Sequence, residues 1–147
     1  YNVENKINPK IIKKLLKFKP THLYYFATPK IFSGIDYEFD IKNFEVFNKY
    51  YLSGFKKIFN ELDKKILKYV FFPSSIAVNE ITRELCEYSC SKASQEVLLK
   101  FLGKKHKNIR FVYPRLPRLK TDQTLNIFDN VKELPVQRIL KIIRKLK

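Results

Sequence analysis

With 147 residues, 45% of them hydrophobic, the chain is of single-domain size and can bury a core, so one domain over 1–147 is expected. Its net charge is +16, but 24 of the 30 basic residues are lysines, and they recur throughout, as at Lys13, Lys14, Lys56, Lys57, Lys64, Lys65, Lys104 and Lys105. That dispersal favours solvated helix faces over a nucleic-acid interface, where arginine is the usual base-reading residue.

No apolar run approaches the roughly 20 residues that span a bilayer, and no secretory pattern opens the chain. Cys86 and Cys90, four residues apart on one helical face, read as buried free thiols of a cytoplasmic protein. His22 and His106 have no zinc-ligand spacing to each other or to the cysteines, and no metal site is expected. A start at Tyr1 without an initiator methionine reads as a piece of a longer polypeptide.

The chain alternates between two periodicities. "NPKIIKKLLKF" (8–18) has the apolar spacing of a helix, with Pro9 near its start. "THLYYFAT" (21–28) is a β-rich run between Pro20 and Pro29, short enough for a buried strand. Residues 41–67 carry a long helical pattern with apolar positions 44, 47, 51, 52, 55, 58, 59 and 62. "KYVFFPSS" (68–75) is a second buried strand, broken at Pro73, and a third helix runs from about Arg83 to Lys105. "NIRFVYP" (108–114) is a third strand, followed by the loop "RLPRLKTDQT" and a last helix, "LPVQRILKIIRKL". Strands alternating with helices imply right-handed crossovers and an α/β parallel sheet covered on both faces.

Ligands of such sheets bind at the carboxyl ends of the strands, which here brings "FATPK", "PSS" and "YPRLPRLKT" together. Tyr88 and Lys92, at i and i+4 on the third helix, share a face and follow the second strand. With 9 tyrosines and 24 lysines in the chain, such a pair arises by chance once or twice, so the spacing alone carries little. Ser75, at the end of a buried strand, lies 13 residues before Tyr88.

Together these features resemble the short-chain dehydrogenase/reductase family. The motif is "FFPSSIAVNEITRELCEYSCSK", an apolar strand ending in Ser-Ser and then Tyr-x-x-x-Lys at the family's spacing. "YNVEN" is similar to the end of the family's third strand, "VFNKYYLSGF" to its long helix with Asn-x-x-Gly, and "YPRLPRLKTDQT" to its cofactor loop. The resemblance implies a Rossmann-like, doubly wound parallel sheet that lacks the first strands, and hydride transfer with NADP or NAD.

It assigns Tyr88 as general acid, Ser75 as the group orienting the substrate oxygen, and Lys92 as the cation that lowers the Tyr88 pKa and holds the nicotinamide ribose. Asn2, Ala27, Thr28 and Thr121 would be further cofactor contacts. It also implies a small carbonyl substrate and a homo-oligomer, with Phe44, Phe55 and Phe101 as exposed aromatic candidates for the interface. Basic and aromatic neighbours (Tyr50, Tyr51, Arg115, Arg118, Lys120) favour an acyl or carrier-linked ketone.

Several positions depart from the family pattern. No glycine-rich phosphate turn is present, since Gly34, Gly54 and Gly103 are dispersed. Ala27-Thr28-Pro29-Lys30 replaces Asn-Asn-Ala-Gly, and Asn2 replaces the usual Asp. Tyr51 stands where the active-site Asn belongs, with Asn48 as a conceivable substitute. These departures keep open a second reading, a non-catalytic domain that lends the fold to assembly or interaction.

Overall fold

The computed structural model describes residue 3 and residues 8–31, 38–117 and 135–145. Helix α1, Pro9–Phe18, starts where the Asn8 side chain accepts from the Lys10 amide at 2.9 Å, and it stops at Lys19, whose φ of 52° is left-handed. Strand β1, His22–Tyr24, pairs in parallel with β2, Tyr69–Phe71, which pairs in parallel with β4, Arg110–Val112. The order β1-β2-β4 with helices between the strands is the crossover topology expected from the alternating pattern.

These ladders are shorter than the expected strands. Pro73 and Pro114 have no N–H to donate, so the main sheet ends just before them. The chain then pairs again in a second, two-stranded parallel sheet of β3, Ser74–Ser75, with β5, Arg115–Leu116. The junction is continuous: Phe72 N donates to Val112 O at 3.0 Å and Ser74 N to Pro114 O at 2.9 Å. Ser75 is thus presented at the carboxyl edge.

The expected helix 41–67 is three segments and ends earlier. Helix α2, Ile41–Asn48, runs into a π-helical turn, Lys49–Gly54, and then helix α3, Phe55–Glu61. Leu62 turns extended (ψ 143°) to bury its side chain, and the Lys64 ammonium folds back onto the carbonyls of Phe59, Asn60 and Leu62. Lys64 is therefore half-buried rather than on a wet face.

In the π turn, Gly54 is needed for space, since a Cβ there would collide with Val3 Cγ1 and sit 2.9 Å from the Tyr25 hydroxyl. That hydroxyl donates to the Tyr50 carbonyl at 2.8 Å.

An aromatic core lies between these helices and the sheet. Phe72 is its centre, with ring centroids 4.6 Å from Tyr25, 5.0 Å from Phe55 and 6.3 Å from Tyr51. Phe55, expected at an exposed interface, is fully buried here, because it shares the core-facing stripe of Phe47, Tyr51, Ile58 and Phe59 and packs on Phe72.

Helix α4, Cys86–Lys105, follows two 3-10 turns, Ile76–Val78 and Arg83–Leu85, close to the expected 83–105. It packs on α2, the π turn, β3 and β4, and it buries Ser89, Ser91, Lys92 and Gln95 beside Leu99 and Leu102. Helix α5, Pro135–Lys145, matches the last periodic stretch.

Cys86 and Cys90 are free; Cys90 is exposed rather than buried, and Cys86 is half-buried. No helix among the described residues is long and apolar enough to cross a membrane.

Candidate active site

Ser75 leaves β3 in an extended conformation, and its hydroxyl oxygen accepts from Ala77 N at 3.2 Å, capping the next turn. The same hydroxyl lies close enough to the phenol of Tyr88 to act on its pKa. Tyr88 sits in the first turn of α4, its ring edge-on to Phe47 (5.7 Å) and Tyr51 (6.0 Å). Burial raises the Tyr88 pKa above the ordinary phenol value, and Ser75 opposes the rise.

Lys92 lies one turn further on and is 6% exposed. Its ammonium donates to Pro73 O and to Gln95 Oε1, both at 2.9 Å. It also sits 4.0 Å from the Tyr51 ring centroid, 5.2 Å from that of Phe72 and 5.9 Å from that of Tyr88. Burial brings its pKa down to about 7, against a smaller upward pull from Glu96. The sequence-based expectation that Lys92 lowers the Tyr88 pKa is not met. Desolvation dominates at the phenol, and the ammonium faces Tyr51 instead.

Tyr51 fills the space between the two. It is fully buried, and its hydroxyl is 2.5 Å from Thr28 Oγ1. Burial, chiefly, raises its pKa far above the ordinary value. The Thr28 hydroxyl donates to Pro29 O at 3.1 Å, so this side chain is engaged within the protein. Ala27 is half-buried against the core. Asn48, at the end of α2, has a buried Oδ1 with no hydrogen-bond partner among the described residues. Asn2, Thr121, Arg118 and Lys120 lie outside the described residues.

Two side chains that sequence reasoning passed over tie α4 to the strand ends. Gln95 Nε2 donates to Phe72 O at 3.0 Å and to Pro73 O at 3.3 Å. Glu96 accepts from Ser74 Oγ at 2.5 Å and from Arg115 Nε and Nη2 at 2.8 and 2.7 Å. The Arg115 bonds, first among several causes, hold the Glu96 carboxyl below its ordinary pKa. Arg115 also donates to Asn79 Oδ1 at 2.5 Å. Its charge is committed within the protein, which removes it as an argument for an acyl or carrier-linked ketone. The signal in the sequence was the stripe 88, 92, 95, 99, 102, where two polar residues, Lys92 and Gln95, interrupt a core-facing helical period.

No family model matches the sequence, and no curated protein matches it. Solved structures do. An alcohol dehydrogenase from the archaeon Thermococcus sibiricus, complexed with 5-hydroxy-NADP, superposes with a TM-score of 0.75 at 16% identity, over 93% of this chain and 61% of that one. A short chain dehydrogenase from Salmonella enterica serovar Typhi gives 0.73 at 14% identity, over 91% and 60%. A short-chain dehydrogenase/reductase from Saccharomyces cerevisiae gives 0.60 at 22% identity, over 95% and 59%. The chain thus spans about three-fifths of the length of these neighbours. With the parallel strand order, these superpositions give the chain the Rossmann-type fold of the short-chain dehydrogenases/reductases, with a small part of the parallel sheet among the described residues.

Proposed function

We propose that residues 1–147 form one domain of an NAD(P)-dependent oxidoreductase that interconverts a carbonyl and an alcohol, using Ser75, Tyr88 and Lys92. The observation that carries this reading is the placement of Ser75 at the carboxyl edge of a parallel sheet, beside the phenol of Tyr88 on the helix that follows. A carbonyl oxygen inserted between them accepts from both. In reduction, Tyr88 gives that oxygen its phenolic proton while Ser75 orients it. Because its pKa is raised, the phenol keeps its proton at neutral pH, which suits the acid role; alcohol oxidation needs the phenolate and is favoured as pH rises.

When bound, a nicotinamide dinucleotide supplies or accepts the hydride. Solved neighbours carry NADP or NADH, which favours NADP or NAD here. Lys92, Ala27 and Thr28 would line its nicotinamide and ribose end, with Thr121 and Asn2 as further contacts. The phosphate end fits less well: Gly54 is packed against Val3 and Tyr25, and Gly34 and Gly103 stand far apart in sequence. The phosphate-cradling turn is therefore assigned to a segment outside these 147 residues.

Calorimetric titration of the 147-residue chain with NADH and NADPH is expected to show weak binding or none, and tight binding to either would contradict that assignment. A panel of ketones, an acyl or carrier-linked one among them, assayed by nicotinamide absorbance, tests the activity.

The proposal includes a homodimer in a reducing, cytoplasmic setting, to which two unbridged cysteines are suited. Exposed apolar side chains on α2 (Ile41 and Val46) and α4 (Val97 and Phe101) replace Phe55 as the candidate interface, and Phe44 is partly covered by Phe39. Light scattering is expected to return twice the 17.6 kDa chain mass, and a monomer at high concentration would contradict it.

One observation favours the second reading, a non-catalytic scaffold: protein acceptors already hold Lys92, and Tyr51 fills the position of the usual Asn.

A further inference from the structure

We propose that Gln95 is a positioning residue of this site: it fastens the Lys92 ammonium to the strand junction at Phe72–Pro73, beneath the Tyr51 ring, and so sets both its direction and its charge. The inference rests on the oxidoreductase reading for its consequence in catalysis, but not for its geometry.

Gln95 is fully buried, on the turn of α4 that follows Lys92. One end of its amide faces the carbonyls of Phe72 and Pro73 and must be the NH2; the other faces an ammonium and must be the C=O. The Pro73 carbonyl accepts from both side chains, which closes a small buried network. A leucine would fit the neighbouring apolar stripe of Leu99 and Leu102, but it would strip the Phe72 carbonyl of the Gln95 amide and the ammonium of one of its two acceptors. The Phe72–Pro73 junction also leads into Ser74 and Ser75, so the same amide holds the strand end that presents the Ser75 hydroxyl.

The charged and titratable groups around Lys92 give Gln95 its leverage. On α4, Glu96 offers a counter-charge, but Arg115 of β5 shares it. Tyr51 from the π turn and Tyr88 from α4 are neutral phenols with raised pKa values. The hydrogen bonds from Lys92 to Pro73 and Gln95 add to the upward pull of Glu96 in favouring its charged form against desolvation. An ammonium has three protons; Pro73 and Gln95 take two, leaving one for the Tyr51 face or for an oxygen of a bound ligand.

The test is side-chain NMR of lysine Cε and Nζ in the full chain, with Lys92 assigned by its loss in Lys92→Arg. In the parent, Lys92 is expected to titrate near 7, with slowly exchanging Nζ protons below that pH. Gln95→Leu should lower the midpoint by about one unit or more, the scale of a lost hydrogen bond to a charge. Gln95→Glu, which restores an acceptor and adds a charge, should raise it. The pH profile of turnover should move the same way.

A midpoint unchanged in folded Gln95→Leu or Gln95→Glu overturns the proposal. If neither variant folds, fast-exchanging, freely rotating Nζ protons in the parent overturn it, and slow ones support it. A shifted midpoint without any turnover in the parent keeps Gln95 as the Lys92 anchor and removes the oxidoreductase reading instead.

Discussion

Tyr88→Phe is expected to lower carbonyl reduction by about 10²–10⁴-fold, the loss typical of removing a general acid. The substitution removes one hydroxyl and leaves the ring in its edge-on contacts with Phe47 and Tyr51. Ser75 keeps its bond from Ala77 N, so the turn after β3 stays capped. Stability should therefore move by only about 1 kcal/mol, the value of one hydrogen bond. That separation of activity from stability is what distinguishes a proton donor from a core tyrosine. Wild-type turnover in the variant would return Tyr88–Lys92 to the set of chance pairs expected in a chain so rich in both residues.

Phe72→Ala is expected to cost about 3–5 kcal/mol, read as the shift in a urea-unfolding midpoint. Phe72 is 1% exposed, and its ring packs against those of Tyr25 just after β1, Phe55 of α3 and Tyr51 of the π turn. No neighbour is placed to collapse into the space, because Tyr25 is held by the Tyr50 carbonyl and Tyr51 by Thr28. The cavity should also loosen the carbonyl that anchors Gln95. Ile81→Ala, at a side chain 63% exposed and outside the candidate interface, is the control and should stay within about 0.5 kcal/mol. A Phe72→Ala loss as small as the control would mean that the aromatic cluster is not the centre of the core.

The order of elements was legible because apolar periods of two and 3.6 alternate cleanly, and prolines mark the strand ends. Boundaries were less so. Proline stops the main ladder at Phe71 and Val112, yet pairing resumes one step later in β3 and β5, a change that no local pattern announces. The π turn in 49–54 is equally silent, since the apolar period runs through 47, 51, 55, 58 and 59 without a break.

At the site, spacing could place Ser75 at a strand end and Tyr88 in the first turn of the next helix, because both positions follow from the order of elements. It could not give the direction of Lys92. That is decided by long-range partners, the Pro73 carbonyl 19 residues back and a tyrosine ring from another helix. Glu96 and Arg115 were likewise invisible as a pair, being 19 residues apart on elements that meet only in three dimensions.

The most direct test of the central claim is transfer of deuterium from NADPH or NADH labelled at C4 to a ketone panel, read by mass spectrometry of the alcohol. It is run on the protein expressed from the complete reading frame that encodes these residues. The oxidoreductase reading predicts one deuterium at the carbinol carbon from one C4 face only, and its loss in Tyr88→Phe. An unlabelled panel with both nucleotides and both C4 labels, from a folded protein, would contradict it and leave the scaffold reading in its place.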